Sequence, residues 1–247
     1  MSKDAKKLYA QQWDASADNL DNNNNYSWMC DCVKDYPKIL EVGSGTGQST
    51  LALLNAGHKV VSIEVNEYCV KATENRISKA GYKIANSFEN IDTADLVLLN
   101  GDISDDAICN ELYQLNLDLF LCWNIGSYWS KEMIQDYSYK MQVYGLTVPQ
   151  IKANPESSYA EFIIWQTCKV AKKCNADAHL IERLSNEISL ADKSYYDALK
   201  DEFKYTSTSY KQVKTKTISD GGRALSVANK VINKREIPIY LTSILYK

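Results

Sequence analysis

The segment Glu41-Val42-Gly43-Ser44-Gly45-Thr46-Gly47 constrains this chain more than any other. Its alternating glycines follow a short apolar run, Ile39-Leu40-Glu41-Val42, and precede residues 48–56, which read as a helix stopped by Gly57. A strand that ends in glycines and passes into a helix is the opening turn of an α/β unit. Glycine there permits a tight turn and lets the backbone approach a ligand closely. The helix N-terminus behind it offers unpaired N–H groups and a partial positive charge. The spacing is GxGxG, which is neither the GxGxxG of a dinucleotide-binding turn nor the GxxxxGK[ST] of a P-loop. That counts against nicotinamide dinucleotides and ATP as ligands.

The unit repeats along the chain. Residues 59–64, 94–100, 117–123 and 178–184 read as further buried strands, and 67–80, 104–114, 158–174 and 192–203 as helices, with Gly81 stopping the second. Two more strands are expected near 211–218 and 238–246, joined by residues 219–237 without an obvious crossover helix, so the last strand should run antiparallel. The expected fold is α/β: a doubly wound, mostly parallel seven-stranded sheet with helices on both faces and an antiparallel last strand. At 247 residues, with no internal repeat and no Pro- or Ser-rich linker, the chain reads as a single domain over residues 1–247. Residues 1–35 form an N-terminal extension, with helical pieces near 5–14 and 26–35 flanking a loop at the asparagine run 21–25. The long segments 125–157, with a helix near 130–143, and 219–237 leave the carboxyl edge of such a sheet. They are the candidate substrate-side insertions.

With Glu41 through Gly47 as its first motif, the sequence resembles the class I S-adenosylmethionine-dependent methyltransferases. Their first motif reads acid-x-Gly-x-Gly-x-Gly after the first strand, and the resemblance is good over about residues 37–124. Two acids strengthen it. Glu64 ends the second strand, 17 residues after Gly47, and Asp102 lies in Asn100-Gly101-Asp102-Ile103 after the third. The resemblance implies S-adenosylmethionine as cofactor, bound by Glu41, Gly43, Ser44, Gly45, Gly47, Glu64, Asp102 and Ile103. Gly43, Gly45 and Gly47 would admit its methionine portion and Glu41 its amino group. Glu64 would accept hydrogen bonds from both ribose hydroxyls. Asp102 would accept from the adenine amine, with Ile103 offering its side chain or N–H to the ring. Asp102 is also placed to cap the helix at 104. Many small-molecule members of the family carry an N-terminal lid helix, so residues 1–35, with Tyr9 and Trp13, are the lid candidate.

The acceptor end is less defined. The fourth strand ends Leu121-Cys122-Trp123-Asn124-Ile125-Gly126, where the family brings substrate to the methyl group. Trp123 is placed to wall a pocket and Asn124 to orient a polar group. The [DNS]PP[YFW] motif of DNA amino-methylating enzymes and the Pro-Cys of cytosine-C5 enzymes are both missing. Lys and Arg total 28 against 31 acids, and only four of the 28 are Arg, so bulk charge does not recruit a phosphate backbone. The expected function is therefore methyl transfer to an oxygen or nitrogen of a small molecule. Protein or RNA methylation, or a non-catalytic S-adenosylmethionine-binding module, are the alternatives. Tyr26, Trp28, Tyr128 and Trp129 flank the expected active-face loops and could supply aromatic walls.

The remaining signals are structural. The seven cysteines are scattered, form no CxxC pair and read as reduced, small apolar residues, so no metal is expected. His179 sits within a strand and His58 in a turn, neither placed as a general base. Lys211, Lys214, Lys216 and Arg223 read as a solvated strand face. No apolar run approaches the ~18 residues of a membrane span, the N-terminus has no secretory pattern, and a cytoplasmic location is expected. The oligomeric state leaves no trace in the sequence.

Overall fold

A computed structural model describes residues 3–123, 131–218, 226–227, 230–231 and 236–247. Strands β1 (Lys38–Val42), β2 (Lys59–Glu64), β3 (Ile84–Ala85), β4 (Leu96–Asn100), β5 (Leu119–Trp123), β6 (Asp177–Leu184), β7 (Thr208–Thr217) and β10 (Ile237–Tyr246) form one sheet in the order β3-β4-β2-β1-β5-β6-β10-β7. A separate two-stranded ribbon, β8 (Ser226–Val227) and β9 (Lys230–Val231), precedes the last strand. The helices are α1 (Lys3–Asn22), α2 (Asn25–Cys32), α3 (Gln48–Asn55), α4 (Glu67–Lys79), α5 (Asp106–Leu112), α6 (Lys131–Tyr144), α7 (Val148–Ala153), α8 (Pro155–Lys173) and α9 (Leu190–Phe203).

The fold is the doubly wound α/β architecture expected. Only β10 opposes the others, pairing antiparallel with both β6 and β7. The sheet has eight strands where seven were expected, because the two-residue edge strand β3 pairs with β4 and is too short to register as an apolar run.

Parallel strands covered on both faces are apolar on both faces, and this sheet divides two cores. Leu40, Val42, Val61, Ile63, Phe120 and Leu180 point to the side covered by α5 and α8. Ile39, Val60, Leu96, Leu119, Leu121 and Ile181 point to the side covered by α1, α2 and α3. On β1 the alternation is strict, and it places Glu41 on the α3 side.

The helix stops at Gly57 (φ 93°) and Gly81 (φ 88°) are as read. The N-terminal region differs. The asparagine run is not a loop, since α1 continues to Asn22 and α2 starts at Asn25, with Asn24 turning the chain at φ 56°. Burial of Ala17 and Leu20 outweighs the tendency of asparagine side chains to compete for backbone bonds. In the 125–157 segment, α6 lies where expected, but α7 had not been read. Thr147 and Gln150 form a capping box with Pro149 in the first turn, and Asn154 then caps α8 ahead of Pro155. Residues 124–130 and most of 219–235 lie outside the described residues.

Candidate functional site

Strand order reverses around β1. Outward from β1 lie β2, β4 and β3 on one side and β5 and β6 on the other. The crevice at the carboxyl ends beside such a switch point is where open α/β sheets bind ligands. The glycine loop leaves β1 there.

Its glycines do different work. Gly43 (φ 82°), Gly45 (φ 54°) and Gly47 (φ 91°) all occupy left-handed backbone, which accounts for the residue type at each. The space above Gly45, however, is filled by the Trp13 indole of α1, which a methyl group at Gly45 would overlap. A methyl group at Gly47 would lie 2.9 Å from Thr73 Cα, so Gly47 serves the close approach of α3 and α4. Within residues 41–50 only Gly43 is not buried. Gly43 N–H donates to Ile63 O (2.8 Å), and Ser44 is buried, its hydroxyl accepting from Thr73 Oγ1 (3.4 Å).

Helix α1 lies over this loop. Gln48 Nε2 donates to Asp14 (2.9 Å) and Asp18 (2.7 Å) of α1. Arg76 of α4 donates to Asp14 (3.0 Å) and, through Nε, to Thr46 O (3.0 Å). Asn66 Nδ2 donates to Lys6 O (3.1 Å). Tyr9 stacks on Trp13, and the Arg183 guanidinium lies 5.6 Å from the Trp13 ring.

A carboxylate offers about four lone-pair positions, so the spent ones can be counted. Glu41 is buried and holds three hydroxyls: Ser49 (2.5 Å) on Oε1, with Thr50 (2.6 Å) and Ser62 (3.1 Å) on Oε2. Burial pushes its carboxyl up and those hydroxyls pull it back. It ties the first turn of α3 to β1 and β2. Glu64 is also buried and is held by backbone donors alone: Gly45 N–H on Oε2 (2.9 Å) and Asn66 N–H on Oε1 (2.8 Å), with Val65 N–H also favouring its charged form. Burial raises its pKa to about 7 against the pull of those donors.

Asp102 is held more fully. Tyr137 of α6 (2.8 Å) and Tyr159 of α8 (2.7 Å) both donate to Oδ2, and Ser104 N–H donates to Oδ1 (2.7 Å). One lone pair remains, on Oδ1. The cap of α5 is Asp105, which accepts from Ala107 N–H, rather than Asp102, because the helix starts two residues later than read. Lys140 of α6 reinforces the arrangement by donating to Ser104 O (2.6 Å). Ile103 is 1% exposed and packed in the α5–α8 core, so its side chain is closed to a ligand.

Trp123 ends β5 inside the α1–α3 core, and its Nε1 donates to His179 Nδ1 (2.8 Å). His179 then carries its proton on Nε2 and donates to Ser243 (2.8 Å), and burial lowers its pKa to about 3, so it stays neutral. Tyr26 and Trp28 pack into the same core from α2. Asn124, Tyr128, Trp129 and Arg223 lie outside the described residues. Lys211, Lys214 and Lys216 are exposed on β7.

On the β1–β2–β4 side of the carboxyl edge a row of partly or fully exposed residues marks successive strand ends: Gly43 after β1, Val65 after β2, and Asn100, Gly101 and Asp102 at the end of β4. Glu64 stands beside this row, its carboxylate held by backbone donors alone. Asp14, Asp18, Gln48 and Arg76 were not singled out in the sequence, nor were Tyr137 and Tyr159. They come together only through tertiary packing.

No family model matches the chain, and no curated protein does. Solved structures that resemble it in overall shape include EvdMO1 (14% identity, TM-score 0.48, covering 92% of this chain and 41% of that one). They also include precorrin-6y C5,15-methyltransferase from Geobacter metallireducens (6% identity, TM-score 0.48, 90% and 87% covered). A third is a SAM-dependent methyltransferase from Agrobacterium tumefaciens (13% identity, TM-score 0.49, 90% and 61% covered). The chain thus spans less than half the length of EvdMO1. A likeness at this level concerns shape alone, and function has to be argued from the residues of this chain.

Proposed function

We propose that the chain binds S-adenosylmethionine along the strand-end row at β1, β2 and β4 and transfers its methyl group to an oxygen or nitrogen of a small molecule. The observation that carries this reading is the open row Gly43, Val65, Asn100–Asp102 at the switch point, flanked by two acids with unspent acceptor capacity. The donor set suits the cofactor. Glu64 takes no side-chain donor, which leaves its carboxylate acceptor capacity for ribose hydroxyls. Asp102 has one free lone pair, on Oδ1, which matches a single amine hydrogen of adenine. Glu41 is as buried as Ile103 and spends its carboxylate on Ser49, Thr50 and Ser62, so it braces the loop behind the cofactor.

When bound, the cofactor supplies a methyl group on a strongly electrophilic sulfonium. The chain's own work is then to position. The glycine loop fixes the Glu64 carboxylate through Gly45 N–H, Tyr137 and Tyr159 fix that of Asp102, and α1 closes over the loop from outside. Holding the reacting groups in line contributes much of the rate in such a reaction.

The test is a thermal-melt titration with S-adenosylhomocysteine, with NAD as the control. A ligand that binds the native state raises Tm once its concentration passes Kd. The expected result is a dose-dependent rise with S-adenosylhomocysteine and none with NAD. No rise at millimolar S-adenosylhomocysteine overturns the reading. Labelled cofactor with cell extract, fractionated into metabolites, protein and nucleic acid, then identifies the acceptor class, with label expected in the metabolites.

A further inference from the structure

We propose that Glu182 accepts the proton that the methyl acceptor gives up, acting as the catalytic base of the transfer proposed above, on which this assignment rests. Glu182 stands near the carboxyl end of β6. Its neighbour Ile181 pairs with Trp123, the last residue of β5, and Glu182 itself pairs with Thr242 of β10. On the pleat it shares the face of Ala178 and Leu180, which is covered by α8. It therefore lies at the ligand-binding edge of the sheet, on the β5–β6 side of the switch point, away from Glu64 and Asp102 on the β2–β4 side.

Its carboxylate is unlike the others there. Glu182 Oε1 is shielded from solvent and has no hydrogen-bond partner among the described residues. A shielded carboxylate oxygen without a donor is costly, and such groups in native folds call for an explanation. An acceptor's N–H or O–H is a donor that would satisfy it. The titratable groups facing it are Cys122 on β5 and Tyr195 and Tyr196 on α9. Arg183 follows it on β6 and favours its charged form, but burial dominates and holds the carboxyl at about 7. A group that titrates near neutral pH is suited to general-base work.

The alternatives among the described residues are engaged elsewhere. Glu41 and Asp102 each hold three donors, and Glu64 carries the glycine loop. His179 has both nitrogens bonded, and His58, bonded to Tyr36 O, sits at the amino end of β2. The assignment narrows the acceptor to a compound whose attacking atom carries a proton: an alcohol, a phenol or an amine. In the step, the lone pair of that atom forms the bond to the methyl carbon, and the carbon–sulfur bond breaks with its electrons going to sulfur. The proton of the attacking atom passes to the Glu182 carboxylate, which belongs to a partly exposed residue, and leaves it for solvent after the product departs.

The experiment compares the full chain with Glu182→Gln and Glu182→Asp. Binding of S-adenosylhomocysteine is measured by titration calorimetry, and transfer of label from methyl-labelled S-adenosylmethionine into the metabolite fraction of cell extract is followed from pH 5.5 to 9. The expected result is unchanged binding of S-adenosylhomocysteine by all three proteins. Glu182→Gln should lose about 10²–10⁴-fold in transfer rate and the fall in rate that the unaltered chain shows below about pH 7. Glu182→Asp should retain that fall at an intermediate rate, which a purely structural role would not produce. Transfer by Glu182→Gln at the unaltered rate overturns the assignment alone, as does loss of S-adenosylhomocysteine binding in both variants. Binding by the unaltered chain without transfer to any fraction overturns catalysis, and the base with it. Absence of binding by the unaltered chain overturns the cofactor reading itself.

Discussion

At the β1–β2–β4 end of the carboxyl edge, Glu41, Glu64 and Asp102 are all held by donors from the chain itself, whereas at the β5–β6 end Glu182 leaves an oxygen sealed and unbonded. The first arrangement fixes geometry. Hydrogen bonds to charged acceptors are short and directional, and they hold a carboxylate in place for a ligand to meet. The second leaves a group unsatisfied at a cost in stability, which natural folds tolerate where function needs it. One edge of the sheet is therefore divided between acids braced by the chain and one with an oxygen that no described residue bonds.

The comparison breaks first at Glu64. If its carboxylate holds a ribose diol, Glu64→Ala removes two charge-assisted bonds of about 1.5–3 kcal/mol each. S-adenosylhomocysteine affinity should then fall by roughly 100-fold or more, read by calorimetry. Glu64→Gln, which keeps one acceptor oxygen, should fall less. Equal and small losses in both would make Glu64 a brace for Gly45 and nothing further.

Gly47 and Gly57 sharpen the structural side of the braced end. Their backbones are nearly the same, at φ 91° and 93°, but a methyl group at Gly47 meets Thr73 Cα at 2.9 Å and one at Gly57 meets nothing within 4 Å. Gly57→Ala should cost about 1 kcal/mol, the left-handed strain alone. Gly47→Ala adds overpacking against backbone, typically about 1–3 kcal/mol more. At ~2–4 °C per kcal/mol for a chain of this size, Gly47→Ala should melt several degrees below Gly57→Ala. Equal melting temperatures would mean that α3 and α4 separate freely.

Glu182 gives the opposite sign. Its folded-state pKa of about 7 stands above the ordinary 4.5, so the folded chain binds more protons than the unfolded chain between those values. Stability then falls as pH rises through that window and stays lower above it. Glu182→Gln carries no such charge, so its Tm relative to the unaltered chain should rise between pH 5 and pH 8. Glu64 titrates in the same window and keeps its own slope in the variant. A pH-independent difference would place the Glu182 carboxyl in water.

The fold was legible because its signals are local. Short apolar runs, the first of them ending in glycines, marked the buried strands, and the lack of an obvious crossover helix in 219–237 marked the antiparallel last strand. Helix α7 was equally local, written in Thr147-Val-Pro-Gln150, and was missed because nothing was read between the helix near 130–143 and the one at 158–174. The site was legible only in its backbone. That Glu41 turns toward Ser49 and Thr50 follows from strand alternation. That Asp102 meets Tyr137 and Tyr159, 35 and 57 residues later, has no local signature. The same holds for Trp13 over Gly45: the sequence marks the space that glycine opens, and only packing decides what fills it.

The smallest expected effect concerns the clamp that holds α1 over the glycine loop. Arg76 bridges Asp14 and Asp18, but the three side chains are 30%, 44% and 52% exposed. Solvent-exposed pairs of this kind contribute about 0–1 kcal/mol and weaken with salt. Arg76 also donates through Nε to Thr46 O inside the glycine loop, a directional bond that lysine cannot reproduce. If charge holds the clamp, Arg76→Lys should keep the Tm that Arg76→Ala loses, and 0.5 M salt should bring all three proteins together. If the bond to Thr46 holds it, Arg76→Lys should melt with Arg76→Ala, and the gap to the unaltered chain should survive in salt. The second outcome is the expected one. The Thr46 carbonyl belongs to the most buried stretch of the loop, where a lost donor is not replaced by water.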